Sequence, residues 1–206
     1  MKKENEKNIF RDICRVVSKA ILVSLIYIVY FPKKIGEENV PKDKPVIICP
    51  NHIHFLDPAV VTLTAKNRIH FMAKEELLKN PLLRFLSWSF EMFTVKRGSG
   101  DMAAMKTSLK FLKQNKILGI YPEGTRNGME KGLKPKTGAA YLALATDAVI
   151  VPVGINGSFK PFRKITINYG KPLDFSEYKD QKHDKDVLDK ITKEVMDNVI
   201  ELTNNI

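Results

Sequence analysis

A histidine and an aspartate, His52 and Asp57, stand five positions apart directly after a short apolar run. Residues 46–49 are apolar and β-branched, which predicts a buried strand. Pro50 ends this run, and Asp57-Pro58 predicts a helix start with Asp57 as N-cap and Pro58 as first helical residue. His52 is therefore expected at the carboxyl end of a strand, where open α/β sheets bind ligands. A histidine held there by a carboxylate can take a proton from a hydroxyl.

Three more stretches follow or form predicted strands whose ends are expected at the same sheet edge. They are residues 93–98 (FTVKRG), 121–126 (YPEGTR) and 151–154 (VPVG). Together with residues 51–57 (NHIHFLD), they resemble, in order, the four sequence blocks of the PlsC-like family of glycerolipid acyltransferases, the lysophosphatidic acid acyltransferases. The resemblance covers about residues 45–170, and its third block is the most specific.

This sequence departs from the family pattern at three places. Tyr121 replaces the usual phenylalanine of the third block, and Asn127 replaces the usual serine. The glycine usually found before the strand of the second block is not evident in residues 90–92. The first two changes keep size and polarity, whereas the third affects how closely that strand can approach its neighbours.

The resemblance implies a 1-acyl-sn-glycerol-3-phosphate acyltransferase that moves an acyl chain from acyl carrier protein or coenzyme A to the 2-hydroxyl of lysophosphatidic acid. His52 would act as general base, because the unperturbed pKa of histidine is about 6.5. Asp57 would fix the imidazole and stabilise the imidazolium that forms. The attacking oxygen belongs to the substrate, so no serine or cysteine nucleophile, cofactor or metal is expected, and the histidines have no metal-ligand spacing.

The substrate phosphate needs cations, and Arg97 and Arg126 offer the planar forks that suit it. Glu123 is expected to orient an arginine or to accept from a substrate hydroxyl. Gly124 permits close approach of the backbone, and Thr125 belongs to the same phosphate-binding block.

Lys134 and Lys136 resemble a basic loop that follows this block in the family and could assist the phosphate or the acyl donor. Structural alternatives stay open for the other residues. Asp57 alone could be only a helix N-cap, His52 a hydrogen-bonded structural histidine, and Glu123 and Arg126 a surface pair.

The composition indicates a globular protein with an anionic partner. The chain has 206 residues, 44% hydrophobic and 28% charged, with a net charge of +11. This charge favours nucleic acid, an anionic membrane surface or a phosphate-bearing substrate. No helix-turn-helix, RNA-recognition or zinc signature accompanies the dispersed lysines, so nucleic acid is not expected. The two cysteines, Cys14 and Cys49, are expected to be buried thiols in a reducing compartment, with a disulfide as the alternative.

The N-terminal segment is the most apolar part of the chain. Its uncharged stretch, residues 20–31, would form a helix about 18 Å long, short of the roughly 30 Å hydrocarbon core, so a single-span anchor is not expected. A signal peptide is not expected either, because the charged lead of 19 residues is long and contains acids, and no small-residue cleavage site follows Phe31. Apolar residues recur at helical spacing from Ile9 onward, which fits a helix buried against the domain or one lying in a membrane surface. The resemblance favours the second, with a peripheral or monotopic enzyme on the cytoplasmic face of the cell membrane.

Strands alternating with helices predict a single α/β domain, with a mixed, largely parallel sheet flanked by helices and preceded by the N-terminal apolar helical segment. Residues 1–32 are the expected membrane-associating segment and residues 33–206 the acyltransferase domain, opening with a polar connector at 33–44. The predicted strands are residues 46–49, 69–72, 93–95, 117–121, 149–155 and 165–169. The predicted helices are residues 58–66, 74–90 with an interruption at Pro81, 101–113, 137–146 and 184–203.

Two other functions compete with this interpretation. One is an acyltransferase of the same fold that acts on another lysophospholipid or an aminolipid. The other is a non-catalytic basic module that binds a membrane surface or nucleic acid and would tolerate loss of His52.

Overall fold

The computed structural model describes residues 2–89, 92–95 and 101–205. The helices are α1 (Lys2–Tyr30), α2 (Asp57–Thr64), α3 (Pro81–Ser89), α4 (Asp101–Leu112), α5 (Gly138–Thr146) and α6 (Lys185–Asn204). The strands are β1 (Lys33–Ile35), β2 (Val46–Pro50), β3 (Ile69–Lys74), β4 (Phe93–Val95), β5 (Ile117–Gly119), β6 (Val149–Gly157) and β7 (Ile165–Tyr169). Each predicted strand is confirmed, with bounds that shift by a few residues, and so are the predicted helices apart from the first part of 74–90. There β3 extends to Lys74 and a 3-10 helix covers Glu75–Lys79, whereas the α-helix begins only at Pro81, because proline is tolerated in the first turn of a helix and not in its interior.

The strands form one seven-stranded sheet in the order β1-β7-β6-β2-β5-β3-β4. All neighbouring pairs are parallel except β6 and β7, which are antiparallel. The predicted mixed, largely parallel sheet is therefore confirmed. Because β2, β5 and β6 run in the same direction, the chain segments that follow them emerge at one edge of the sheet.

Side chains of β2 alternate between two apolar cores, one on each face of the sheet. Val46 and Ile48 belong to the core that includes residues of α1 and α2, whereas Ile47 and Cys49 belong to the core under α4, α5 and α6. Both faces are covered, so β2 is apolar along its whole length, as expected of a parallel strand inside an α/β domain.

Helix α1 is longer than its uncharged stretch suggested. Residues Ile9–Tyr30 form a 22-residue segment that contains an 18-residue window of mean hydropathy 1.9, and by length and composition alone the segment is sufficient to cross a membrane. The expectation that the segment is too short is therefore wrong, because the helix continues through residues 9–19 despite their charges. Leu22, Val23 and Ile26 pack on the domain core. Another face is apolar and exposed, formed by Ile9, Phe10, Ile13, Val16, Val17, Ile21, Leu25, Tyr27 and Ile28.

The predicted polar connector at residues 33–44 contains a strand that the sequence did not indicate. Its first residues form β1, which pairs in parallel with β7 at the edge of the sheet. Lys34 lies within it, and its ammonium donates to Glu37 and to the Thr64 carbonyl, both at 2.7 Å. An edge strand with one neighbour needs no apolar pattern, so the charged sequence Lys33-Lys34 concealed it.

Helix α6 ends directly against the backbone of the sheet. A Cβ atom on Gly154 would lie 2.4 Å from the carbonyl carbon of Leu202, so only glycine allows this approach. Two side-chain amides bind the last carbonyls of the helix: Asn156 donates to Thr203 at 2.7 Å and Asn168 donates to Leu202 at 3.2 Å. These donors satisfy carbonyls that a helix end leaves without intrahelical partners.

Candidate active site

His52 and Asp57 form a hydrogen-bonded pair at the carboxyl end of β2. His52 Nδ1 lies 2.8 Å from Asp57 Oδ2, and the Asp57 side chain is fully buried while that of His52 is 18% exposed. The same Oδ2 accepts the backbone N–H groups of Ile53 and His54, each at 2.8 Å. A carboxylate only accepts, so in the neutral imidazole the shared proton belongs to Nδ1 and the lone pair to Nε2, which no hydrogen bond from the described residues occupies.

Asp57 does not cap α2, so the predicted N-cap role is wrong. The helix begins at Asp57 itself, and Leu56 occupies the N-cap position without a side-chain hydrogen bond. The Oδ2 atom of Asp57 instead accepts from His52 Nδ1 and from the backbone N–H groups of Ile53 and His54, in the loop before the helix. The five-residue spacing of His52 and Asp57 thus lets the carboxylate bind the imidazole, and it does not provide an N-cap for the helix.

Asn51 holds the loop that carries His52 by extending the sheet beyond β2. Its Oδ1 accepts the Ile155 N–H at 2.6 Å and its Nδ2 donates to the Ile155 carbonyl at 2.9 Å. Its own N–H donates to the Val153 carbonyl at 3.3 Å. The amide side chain, 2% exposed, therefore replaces a peptide group in the ladder with β6. No role was predicted for Asn51 from the sequence. The feature that could have indicated one is an amide side chain placed directly after a strand that ends at proline.

Both carboxylate oxygens of Glu123 bind backbone N–H groups, and one of these groups is that of His52. Among the described residues no arginine pairs with Glu123, and its contact with a substrate hydroxyl stays a prediction. The Oε1 atom of Glu123 accepts the His52 N–H at 2.7 Å and its Oε2 accepts the Met129 N–H at 3.0 Å. In return, the Asn127 N–H donates to the His52 carbonyl at 2.7 Å. Since Glu123 is 4% exposed, the alternative of a surface pair with Arg126 is also wrong.

Tyr121 supports the imidazole from one side. The two rings stack with centroids 4.1 Å apart and planes inclined by 23°, and the Tyr121 ring also stacks on Phe71 at 5.3 Å. Gly119 makes room for this column, because a Cβ there would lie 2.3 Å from the Phe71 ring. Burial, and then the charge of Asp57, raise the pKa of the Tyr121 hydroxyl well above its usual value. The hydroxyl thus stays protonated at neutral pH.

The rest of the third block is exposed next to the Glu123 and Tyr121 contacts with His52. Gly124, Thr125 and Arg126 lie on the surface, and Gly124 has a φ of 68°, a left-handed conformation that suits glycine. A Cβ on Gly124 would lie 3.2 Å from Cγ of Lys136, so the Lys136 side chain runs alongside it. Within the described ranges, no acid pairs with Arg126 or Lys136, so both cations are available to an anion.

Two other predicted phosphate ligands differ from this pair. Arg97 lies outside the described residues. Lys134 forms an ion pair with Asp189 of α6 at 2.6 Å, so the structure does not bring it to Gly124 as it does Lys136. The predicted basic loop is therefore divided, with Lys136 at the site and Lys134 fastened to a helix.

A cavity of about 370 Å³ lies at the opposite edge of the sheet. Its lining includes His70 and Ile117, at the amino-terminal ends of β3 and β5, together with Arg68 and Lys116. It is therefore separate from the His52 site. Among the described residues, no group of three or more histidine, cysteine, aspartate or glutamate side chains is arranged to hold a metal ion.

Known proteins share this sequence and fold. The family model described as Acyltransferase matches residues 32–156. The 1-acyl-sn-glycerol-3-phosphate acyltransferase of Bacillus subtilis is 32% identical over 155 residues, which are 71% of this chain and 75% of that protein. The protein of the same name from Borreliella burgdorferi is 30% identical over 174 residues, covering 78% and 70%.

A solved structure agrees with the fold. The crystal structure of the 1-acyl-sn-glycerophosphate acyltransferase PlsC from Thermotoga maritima has a TM-score of 0.57 and 22% sequence identity, and the match covers 88% of this chain and 98% of that one. The family model spans more than half of the chain, and the Bacillus relative exceeds 30% identity over most of its length. This chain belongs to the acyltransferase family.

Proposed function

We propose that this chain is a 1-acyl-sn-glycerol-3-phosphate acyltransferase, which esterifies the 2-hydroxyl of lysophosphatidic acid to give phosphatidic acid. One observation carries the proposal: the His52 imidazole is held by a buried carboxylate, with Nε2 free, in a chain whose relatives bear that name. The reaction is an O-acyl transfer, so a positioned base and an acyl thioester are sufficient, and no cofactor is needed.

The proton path follows from this geometry. Nε2 of His52 removes the proton of the 2-hydroxyl as its oxygen attacks the thioester carbonyl. Asp57 accepts from Nδ1–H throughout and stabilises the imidazolium. When the tetrahedral intermediate collapses, the carbon–sulfur bond breaks and the departing thiolate takes the proton from Nε2. Glu123 and Asn127 hold the His52 peptide in place while the ring accepts and returns the proton.

The phosphate of the acceptor is assigned to the exposed cations beside His52. Arg126 adjoins Asn127, whose amide donates to the His52 carbonyl, so the guanidinium extends from a backbone fastened to the base. Lys136 lies along Gly124 and adds a second positive charge. Arg97 keeps its assignment as a third phosphate ligand from the family pattern. Because a guanidinium and an ammonium are both positively charged, these side chains favour an acyl acceptor that carries a phosphate monoester over an uncharged one.

The proposed partners are lysophosphatidic acid, an acyl carrier protein or coenzyme A thioester, and an anionic membrane surface, without nucleic acid. Residues 1–32 form the membrane-associating segment and residues 33–206 the catalytic domain. One face of α1 packs on the domain while another is apolar and exposed, which supports a helix that lies in the membrane surface. We assign the enzyme to the cytoplasmic face of the cell membrane as a monotopic protein, where acyl thioesters are available.

The test is acyl transfer to lysophosphatidic acid in mixed micelles, with acyl carrier protein and coenzyme A donors assayed separately. His52→Ala should lower kcat at least about a hundredfold, since a positioned base contributes about 10²–10⁴-fold. His183→Ala is the matched control, because His183 is exposed and its ring lies 5.8 Å from Tyr141, far along the chain from the site.

Each outcome is informative. Phosphatidic acid made by the wild type and by His183→Ala, but not by folded His52→Ala, supports both enzyme and base. Transfer only to other lysophospholipids or to an aminolipid would replace the acceptor and keep the mechanism. Undiminished activity of His52→Ala would exclude His52 as the base.

A further inference from the structure

The loop between β6 and β7, residues 158–164, lies at the same sheet edge as His52. Strand β6 is parallel to β2 and therefore ends at that edge, and antiparallel β7 lets the chain return at once without a crossover helix. Side chains bear out this placement. Phe159 stacks on His54 with centroids 4.2 Å apart and lies 5.8 Å from the Tyr30 ring of α1. The loop therefore joins the catalytic motif to the end of α1.

Phe162 occupies a backbone position that the fold alone would give to glycine. Arg163 donates to the Lys160 carbonyl at 3.2 Å, which closes a turn with Pro161 and Phe162 at its centre. Phe162 has a φ of 62°, and turns with proline in the second position and positive φ in the third normally place glycine or asparagine there. The ring gains no burial in exchange, because Phe162 is 71% exposed. A strained conformation that presents a large apolar ring to solvent points to a role outside the fold.

The exposed ring adjoins the apolar end of α1. The Phe162 N–H donates to the Val29 carbonyl at 2.7 Å, so the tip of the turn is fastened to the last turn of the helix. Ile28, in the last turn of α1, and Phe31, directly after the helix, are 62% and 54% exposed. The turn and the helix end thus present apolar side chains at one place.

Three cations surround Phe162 without a counter-charge. Lys160, Arg163 and Lys164 are exposed, the loop contains no acid, and no ion pair joins them to an acid in the described part of the chain. Lysines elsewhere on the surface do have carboxylate partners, for example Lys193 with Asp197 at 2.6 Å. An aromatic tip within a basic rim is complementary to the interface of an anionic bilayer, where the ring enters the headgroup boundary and the cations remain at its surface.

We propose that loop 158–164 is a membrane contact distinct from α1, in which Phe162 enters the bilayer interface and Lys160, Arg163 and Lys164 bind anionic headgroups. Together with the end of α1 it gives the domain two fixed points and turns the His52 edge towards the lipid that carries the acceptor. The inference deepens the proposed function, on which it rests for the choice of a membrane as partner, but its test requires no activity.

The test places a polarity-sensitive fluorophore at single cysteines in a Cys14→Ser background, in which Cys49 is fully buried and does not react. The labelled variants are Phe162→Cys, Ile28→Cys on α1, and Gln114→Cys, an exposed residue between α4 and β5 at the opposite edge of the sheet. Each is mixed with phosphatidylcholine vesicles with or without phosphatidylglycerol, and with lipids that carry a nitroxide quencher. We expect a blue shift and quenching at positions 162 and 28 on anionic vesicles, and neither at position 114.

Either of two results would overturn the proposal: a label at position 162 that stays in water while position 28 inserts, or no insertion at either position. Failure of acyl transfer by the wild type would be a separate finding, because it would reject the enzyme assignment without affecting the vesicle result.

Two sets of variants separate the ring from the charges. Phe162→Gly suits the positive φ, so the fold should be at least as stable by thermal melting while binding to anionic vesicles weakens. Replacing Lys160, Arg163 and Lys164 together by glutamine should lower partitioning onto anionic vesicles about a hundredfold, at about fivefold per cation. The control replaces the exposed lysines Lys106, Lys110 and Lys113, which changes the net charge equally at a distant surface. Equal weakening by both triple variants would show that only net charge matters.

Discussion

Glu123→Gln distinguishes a structural carboxylate from one that binds substrate. In the structure, the two oxygens of Glu123 accept the His52 N–H at 2.7 Å and the Met129 N–H at 3.0 Å. Glutamine has nearly the same shape but only one acceptor atom, and its amide group would oppose one of the two N–H donors. The substitution therefore removes the charge and one hydrogen bond without leaving a cavity.

The cost can be worked out from these contacts. A hydrogen bond to a charged group contributes about 1.5–3 kcal/mol, and a buried donor without an acceptor costs about 1–3 kcal/mol. Because Glu123 is 4% exposed, water cannot replace the lost acceptor. We expect the free energy of unfolding to fall by about 2–4 kcal/mol, which for a chain of this size lowers Tm by about 5–15 °C. A loosened His52 peptide should lower kcat about 10- to 100-fold.

The measurement combines thermal melting with steady-state kinetics on lysophosphatidic acid. Because both Glu123 oxygens already bind backbone N–H groups that position His52, we expect KM to change less than about twofold while kcat falls. Glu130→Gln is the matched control, because Glu130 is exposed, lies in the same loop and, among the described residues, accepts only from the Asn127 side chain at 3.0 Å. An unchanged Tm with a KM raised about tenfold would refute the reasoning and make Glu123 a substrate ligand.

Three further predictions concern buried rings and thiols. Tyr121→Leu should lower kcat about three- to tenfold through loss of the stack on His52, whereas Tyr121→Phe keeps the ring and should leave kcat near the wild-type value, as steady-state kinetics would show. Burial raises the pKa of the Tyr121 and Tyr169 hydroxyls, so only the unfolded chain loses these protons as pH passes about 10. The free energy of unfolding should then fall with rising pH by about 1.4 kcal/mol per unit for each hydroxyl, and urea titrations should find a shallower fall in Tyr121→Phe. Burial also raises the pKa of the Cys49 thiol, so intact-mass analysis should find maleimide on Cys14 alone until the protein is denatured.

The sequence predicts those elements whose pattern is local. Strands β2 and β6 are continuous apolar runs because helices cover both faces of the sheet, and they were recognised for that reason. Strand β1 was missed because an edge strand can be short and charged. The membrane-spanning length of α1 was also misjudged, because only its uncharged residues were counted although charged residues do not interrupt a helix.

The site divides in the same way. His52 and Asp57 are five positions apart, so their types and spacing were enough to predict a contact. Glu123 acts on a backbone N–H 71 positions away, and a backbone amide has no sequence signature. The ion pair of Lys134 with Asp189 was not predicted, because Asp189 lies 55 positions away on α6, and Lys134 was therefore assigned to the phosphate. Loop 158–164 was not singled out from the sequence, because its position beside His52 depends on the antiparallel return of β7.

The pairing of β1 with β7, and the seating of α6 on β6, impose an order on biosynthesis. The sheet cannot close until its last strand and the C-terminal helix have been made. At about 5–20 residues per second, α6 follows α1 from the ribosome by about 8–30 s. During this interval α1 has no completed core to pack against, and its apolar surface is open to whatever lipid is near. Attachment to the bilayer should therefore precede folding of the catalytic domain, which would then assemble around a helix that is already in place.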